Sequence, residues 1–116
     1  MRKILIPTDF SEISLNAIKY AAELFKHNRA EIYLLHAYAD EVYYAKSRLS
    51  NEVFEDLRHK ALAKTKEALE EFRNEIIDFS ANPNFIIHTV AEFGLLVDSV
   101  NDWVEKENID VVVMGT

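Results

Sequence analysis

The chain has 116 residues, of which 49% are hydrophobic and 28% charged, with two glycines, two prolines and no cysteine. This length fits a single domain over residues 1–116 with a core of its own, and the hydrophobic content is too high for a disordered chain. The lack of cysteine excludes a disulfide scaffold and a cysteine-based zinc site. Thirteen basic and twenty acidic residues give a net charge of −7, which opposes binding to nucleic acid and to anionic membrane surfaces.

No segment has the pattern of a membrane span or a signal peptide. The longest apolar runs have four or five residues, as at 111–114, far short of what a membrane-spanning helix requires. Residues 1–7 are basic at the start but lack the extended apolar region of a signal peptide. We therefore expect a cytoplasmic protein without a nucleic-acid or membrane partner.

The first part of the chain predicts a strand, a tight turn and a helix. Residues 3–8 begin with a compact apolar run typical of a buried strand, and Pro7 marks its end because proline cannot donate to a ladder. Ser11 is a good helix N-cap. Apolar residues then recur at helical spacing, and Asn28 is predicted to stop the helix in a left-handed conformation.

The middle of the chain predicts a second strand, a loop and a long helix. Residues 31–37 form an apolar run typical of a strand, whereas residues 38–49, which include Tyr43 and Tyr44, have no firm periodicity and are predicted as a loop. From 50 to 79 apolar residues recur every three or four positions, which predicts a helix; it is long for a domain of this size, which leaves room for one break.

Two more strands and a third helix complete the pattern. Strands are predicted at 85–90 and 109–114, and a helix is expected to open after Gly94 and to stop at Asn108. We expect four apolar residues of this helix to cover the sheet: Leu96, Val100, Trp103 and Val104.

The element order predicts the fold class. Strands without polar alternation, joined by helices, indicate a parallel sheet covered on both faces with right-handed crossovers, which is a doubly wound α/β fold. Such a sheet rarely ends on an apolar strand, so we expect the sequence to be truncated.

Ligands of open α/β sheets bind beyond the carboxyl ends of the strands, where the strand order reverses. The residues at these ends are Pro7, Thr8, Asp9, Phe10, Ser11, Ala37, Met114, Gly115 and Thr116. Asp9 is the sharpest candidate, because a carboxylate just before a helix can accept a hydrogen bond from a ligand amine or hydroxyl. The alternative is that Asp9 only braces the turn.

Other kinds of site are not indicated. Glycine-rich phosphate loops need several neighbouring glycines, and the chain has only Gly94, for which we expect a packing role, and Gly115. His36 is expected to bond to nearby backbone, and the other three histidines lack the spacing of metal ligands. No nucleophile, base and acid occur in a catalytic arrangement, so no catalytic residue and no metal site are predicted.

Several segments resemble the universal stress protein family. These are residues 3–11 (KILIPTDFS), 32–37 (IYLLHA) and 110–116 (DVVVMGT), together with the turn at 92–94 (EFG). The resemblance covers the whole chain in order. Family members continue with a glycine-rich phosphate loop, a fourth helix and a fifth strand, and of these only the first glycine of the loop, Gly115, is present here.

The resemblance implies a strand order of 3-2-1-4, with the fifth strand missing, and ATP or AMP bound between strands one and four in one branch of the family. Residues of this chain that match the family's adenine and ribose contacts are Pro7, Thr8, Asp9, Ala37, Met114 and Gly115. Asp9 would face the base. Mg²⁺ would enter only through the nucleotide phosphates, ATP hydrolysis would be slow at most, and ATP binding without the phosphate loop would be weak.

Alternatives remain open at this point. Another branch of the family does not bind ATP, so the chain is alternatively a protein-interaction or dimerisation module of the same fold. Because the fourth strand is expected at an unpaired edge, we predict a homodimer built on that strand and on the third helix; the parent protein is alternatively a tandem of two such domains. An ATP pyrophosphatase-type enzyme would need a glycine-rich loop where residues 7–11 read PTDFS, and it is set aside.

Overall fold

The computed structural model describes residues 1–38 and 50–115. Its elements, in chain order, are β1 (Arg2–Pro7), α1 (Glu12–Leu24), β2 (Ala30–Ala37), α2 (Asn51–Phe79), β3 (Phe85–Glu92), α3 (Leu96–Lys106) and β4 (Val111–Val112). The strands form one parallel sheet of order β3-β2-β1-β4. The predicted α/β class and strand order are thus confirmed. The predictions for Tyr43, Tyr44 and Thr116 lie outside the described residues.

Strand β1 lies in the middle of the sheet and is buried on both sides. Ile4, Leu5 and Ile6 are all 0% exposed. Successive side chains of a strand point to opposite faces, so Ile4 and Ile6 join one hydrophobic cluster and Leu5 joins another. The unbroken apolar run in the sequence is therefore explained by helices on both faces of the sheet.

Helices α1 and α2 cover the first face. Ile18 of α1 and Leu69 and Ile76 of α2 pack with Ile4 and Ile6 in the larger cluster. Helix α1 begins where the sequence predicted, with the Ser11 hydroxyl accepting from the Ser14 N–H at 3.2 Å. Helix α2 is confirmed, and it runs for 29 residues without the break for which its length left room.

Helix α3 covers the second face, but with fewer residues than the sequence predicted. Val100 and Trp103 pack against the cluster formed by Leu5 and its neighbours on β2. Leu96 and Val104, by contrast, remain 42% and 36% exposed. The prediction that they cover the sheet was wrong, because only Val100 and Trp103, near the middle of α3, pack on the cluster of this face.

The predicted helix stop at Asn28 is also wrong. Helix α1 ends at Leu24, and its C-cap residue Phe25 has a negative φ of −103°. The chain then turns through a hydrogen bond from the Asn28 N–H to the Phe25 carbonyl, while the Phe25 ring lies under the Arg2 guanidinium, 5.3 Å away. The helix therefore ends at a buried aromatic residue and not at a left-handed one. Asn108, after α3, does have a positive φ of 53°.

Strand β4 is shorter than predicted, although its pairing extends past its two assigned residues. The Asp110 N–H donates to the Lys3 carbonyl at 2.9 Å and the Val113 N–H donates to the Leu5 carbonyl at 3.0 Å. The helices of residues 1–38 and 50–115 do not combine the length and the apolar composition that a membrane span requires.

Two leucines test how much of the stability comes from the buried sheet. Leu34 in β2 is 0% exposed, whereas Leu24 at the end of α1 is 56% exposed. We expect Leu34→Ala to lower the free energy of unfolding by about 2–5 kcal/mol, since it removes buried methyl groups and leaves a cavity. The matched variant Leu24→Ala should change it by no more than about 0.5 kcal/mol. Urea denaturation measures both, and equal losses would contradict the assignment of the core.

Candidate functional site

A cavity of about 420 Å³ lies at the carboxyl edge of the sheet. Its lining includes the six residues that the family resemblance assigned to the nucleotide; of the other strand-end candidates that the structure describes, Ser11 also lines the cavity and Phe10 does not. The lining residues are Pro7, Thr8, Asp9, Ser11, Ile13, Ser14, His36, Ala37, Leu96, Met114 and Gly115. The structure therefore gathers in one place the ends of three strands and the first turns of two helices.

The position of the cavity follows from the topology. Strand β1 pairs with β2 on one side and with β4 on the other. The chain leaves β1 through α1 on the first face and reaches β4 through α3 on the second face. The connections diverge at this point, so neither covers the strand ends, which is the usual condition for a binding crevice in a doubly wound sheet.

The turn after β1 is held by its own side chains. The Phe10 N–H donates to the Thr8 hydroxyl at 3.1 Å, and the Ser11 N–H donates to Asp9 Oδ1 at 2.9 Å. In each case the side-chain oxygen accepts from the backbone N–H two residues later in the chain, as a backbone carbonyl does in an ordinary turn, and this bond closes a tight turn. Thr8 and Asp9 therefore determine the path of the chain from β1 into α1.

Hydrogen bonds between hydroxyl groups also stabilise this turn. The Ser14 hydroxyl donates to the Ser11 carbonyl at 2.9 Å, which uses its only proton. The 2.9 Å contact between the Thr8 and Ser14 hydroxyls is therefore a donation from Thr8. Both Thr8 and Ser14 are only 5% exposed, so this part of the cavity floor is a closed polar network.

The structure shows the turn-bracing role of Asp9 and leaves its carboxyl open to a ligand. Its bond to Ser11 braces the turn, yet the residue is exposed and lines the cavity. The Ser11 hydroxyl and the Ser11 backbone N–H hold the pKa of the Asp9 carboxyl below its usual value. At neutral pH the group is therefore a carboxylate, which can only accept hydrogen bonds.

His36 lies at the back of the cavity in a fixed orientation. Its Nδ1 lies 2.8 Å from the Thr8 carbonyl oxygen, and since a carbonyl only accepts, Nδ1 carries the proton. The ring is 9% exposed and its centroid lies 4.6 Å from that of Phe10. The predicted backbone contact is present, but sequence reasoning did not place His36 on the lining.

Apolar side chains form the walls. Ile13, Leu96 and Met114 line the cavity and are 55%, 42% and 49% exposed. Gly115 presses against α1, since a Cβ atom there would lie 2.7 Å from Ile13 Cγ2 and 2.9 Å from the Ile13 carbonyl oxygen. A larger residue would force the end of β4 away from α1, so glycine is required for this wall.

Sequence reasoning missed four further lining residues, because their place on the lining depends on tertiary packing or is only indirectly visible in the sequence. Ile13 and Leu96 come from the first turns of α1 and α3, whose orientation depends on packing. Ser14 was detectable, because a residue three positions after the N-cap Ser11 lies on the same first turn. His36 was considered only as a structural residue.

The arrangement suits binding more than catalysis. One carboxylate lies beside three hydroxyl groups and three exposed apolar walls, which fits a flat apolar ligand with hydrogen-bond donors on its edge. Among residues 1–38 and 50–115, no three His, Asp or Glu side chains come together as metal ligands.

Known proteins share both the sequence and the fold. "Universal stress protein MJ0531" from Methanocaldococcus jannaschii is 29% identical over 120 residues, which cover 99% of this chain and 64% of that protein. The chain thus spans less than two thirds of that relative. The solved structure of the hypothetical protein MJ0577, from the same organism, matches with a TM-score of 0.78 at 25% identity, over 97% of this chain and 73% of that one.

Two more distant structures share the fold and contain nucleotides. A universal stress protein family protein from Arabidopsis thaliana with AMP bound has a TM-score of 0.66 and 20% identity, over 100% of this chain and 77% of that one. A universal stress protein in complex with cAMP has a TM-score of 0.67 and 17% identity, over 96% of this chain and 69% of that one. The family model for universal stress proteins matches residues 1–116. The chain therefore belongs to the universal stress protein family.

Proposed function

We propose that this chain is a stress-response domain that binds an adenine nucleotide, AMP or ATP, and that binding is the functional event. The observation that carries the proposal is the cavity at the carboxyl edge, in which an exposed carboxylate faces a space with apolar walls. Its volume of about 420 Å³ lies within the range usual for small-molecule sites. The AMP and cAMP held by two proteins of the same fold support the choice of ligand.

Adenine matches the chemistry of the lining. The base is a flat aromatic ring whose exocyclic amine donates hydrogen bonds, and Asp9 offers an ionised acceptor at the cavity edge. Ile13, Leu96 and Met114 offer exposed apolar surface to the two faces of the ring. In the proposed complex Ala37 contacts the base through its backbone, next to the buried end of β2.

The surface proposed for the sugar and phosphates is formed by backbone groups. Met114 and Gly115 bring backbone groups to the cavity, and Gly115 has no side chain to shield them. No lysine or arginine is among the described lining residues, so the phosphates receive no salt bridge there. We therefore propose that this part of the chain recognises the base and sugar, and that Mg²⁺ accompanies only the phosphates.

Asp9→Asn separates the two roles of Asp9. The asparagine oxygen can still accept from the Ser11 N–H, which keeps the turn, but its amide nitrogen then presents a donor to the adenine amine. We expect AMP affinity to fall by about 5- to 150-fold, the equivalent of about 1–3 kcal/mol for a hydrogen bond to a charged acceptor. The free energy of unfolding should change little. Calorimetric titration and urea denaturation measure the two quantities.

The control is Glu23→Gln, which removes a carboxylate from the other end of α1, where Glu23 pairs with Lys26. It should leave AMP affinity unchanged. Adenosine serves as a second ligand, since base recognition without phosphate contacts predicts an affinity close to that of AMP. Equal AMP affinity in the native protein and Asp9→Asn would remove Asp9 from the site, and no AMP binding by the native protein would overturn the proposed function.

A second candidate function is self-association through the free edge of β4. In the described sheet β4 pairs only with β1, and an open edge invites pairing with another chain. Val112 pairs with Leu5 and so points to the same face as α3. It is 37% exposed, and Val97 on α3 is 68% exposed. We propose a homodimer in which the two β4 strands and their adjoining α3 surfaces meet.

Light scattering at micromolar concentrations tests this second candidate. The native chain should have the mass of a dimer, and Val112→Lys should shift it to the monomer because a charge would enter the paired edge. The matched variant Ile86→Lys alters the other edge strand, where Ile86 is 46% exposed, and should leave the dimer intact. A monomeric native chain, or a dimer that Val112→Lys does not disturb, would contradict the proposed interface.

A further inference from the structure

Phe10 has an unusual backbone conformation in the turn that carries Asp9. Its φ is 65°, one of two positive values among the described residues other than glycine. For a bulky side chain the left-handed region is a true outlier, whereas glycine, asparagine and aspartate enter it readily. The conformation costs of order 1–3 kcal/mol and persists only where the surrounding structure enforces it. Local sequence preference therefore does not explain this turn.

Contacts of the Phe10 ring hold its backbone in the left-handed conformation. The ring centroid lies 4.6 Å from that of His36 and 5.3 Å from that of Phe72, the latter in an edge-to-face arrangement. His36 is itself fixed by its bond to the Thr8 carbonyl, and Phe72 belongs to the main hydrophobic cluster. The ring is thus anchored to β2 through His36 and to α2 through Phe72.

The left-handed conformation has a direct effect on Asp9. Phe10 stands between Asp9 and Ser11, so its φ and ψ determine whether the Ser11 N–H can reach Asp9 Oδ1, which it does at 2.9 Å. A return of Phe10 to a negative φ would turn these two groups away from each other. The carboxylate would then lose its fixed direction at the cavity edge.

We propose that Phe10 is a positioning residue: its ring, anchored on His36 and Phe72, holds the turn in the left-handed conformation that fixes the Asp9 carboxylate at the cavity. The role in ligand binding rests on the function proposed above. The positioning of Asp9 itself does not, because it is a property of the unliganded chain.

Two substitutions separate positioning from simple packing. Phe10→Leu keeps an apolar side chain with a Cβ atom but loses the ring contacts, so the strained conformation loses its anchor. Phe10→Asn loses the ring and most of the apolar contact, but asparagine adopts the left-handed conformation readily. If Phe10 only stabilised the fold, the asparagine variant would be the more damaged in every property.

The first readout needs no ligand. A carbon NMR titration follows the Asp9 carboxyl, whose pKa is held below its usual value mainly by Ser11. We expect the Asp9 pKa to rise in Phe10→Leu and to stay low in Phe10→Asn, although urea denaturation should show Phe10→Asn to be the less stable of the two. AMP titration forms the second readout, with affinity reduced about 5-fold or more in Phe10→Leu and retained in Phe10→Asn.

The outcomes are distinct. An unchanged Asp9 pKa in Phe10→Leu, or an equal rise in both variants, would overturn the positioning role. If the native protein fails to bind AMP while the NMR titrations follow the expected pattern, the proposed function fails and the positioning of Asp9 stands. Spectra of both variants at neutral pH verify that each is folded. Should Phe10→Leu not fold, a raised Asp9 pKa in the folded Phe10→Asn variant would overturn the proposal and a retained low pKa would support it.

Discussion

Burial of β1 on both faces is the constraint on which the rest of the structure depends. The apolar run of a strand that is buried on both faces does little to fix its register, because a shift by one residue again places apolar side chains on both faces. Polar contacts at its start supply that information. The Lys3 N–H donates to Asp110 Oδ2 at 2.8 Å, and Lys3 Nζ donates to the Glu107 carbonyl at 3.1 Å. These bonds align β1 with β4 and with the end of α3.

The alignment at one end of β1 determines the geometry at the other. Once Lys3 is opposite Asp110, Leu5 lies opposite Val112, and the ends of β1 and β4 reach the carboxyl edge side by side. Pro7 and Gly115 then face the same cavity. The polar contacts at the amino edge and the cavity at the carboxyl edge are thus two results of a single strand register.

Sequence patterns predicted the sheet well because short, unbroken apolar runs have few structural interpretations other than a buried strand. They predicted much of the candidate site because an α/β sheet binds ligands at the carboxyl ends of its strands. They failed where an outcome depends on what packs against what. Asn28 is a good left-handed residue by preference and does not adopt that conformation, whereas Phe10 adopts it against local preference; of the described residues, Asn108 alone follows the preference. The exposure of Leu96 likewise depends on how α3 lies against the sheet, which the periodicity within α3 does not report.

The length of α2 has a consequence for how the molecule moves. Its 29 residues span about 44 Å at 1.5 Å per residue, whereas the 8-residue strands span about 26 Å, so the helix overshoots the sheet. All four of its buried residues, Thr65, Leu69, Phe72 and Ile76, lie between its midpoint and its carboxyl end. Backbone amides in the two halves should therefore exchange with solvent by different routes. The first half opens by local fraying above the carboxyl edge, restrained by Arg58 over the Phe93 ring at 4.0 Å, and the second half opens only when the whole domain unfolds.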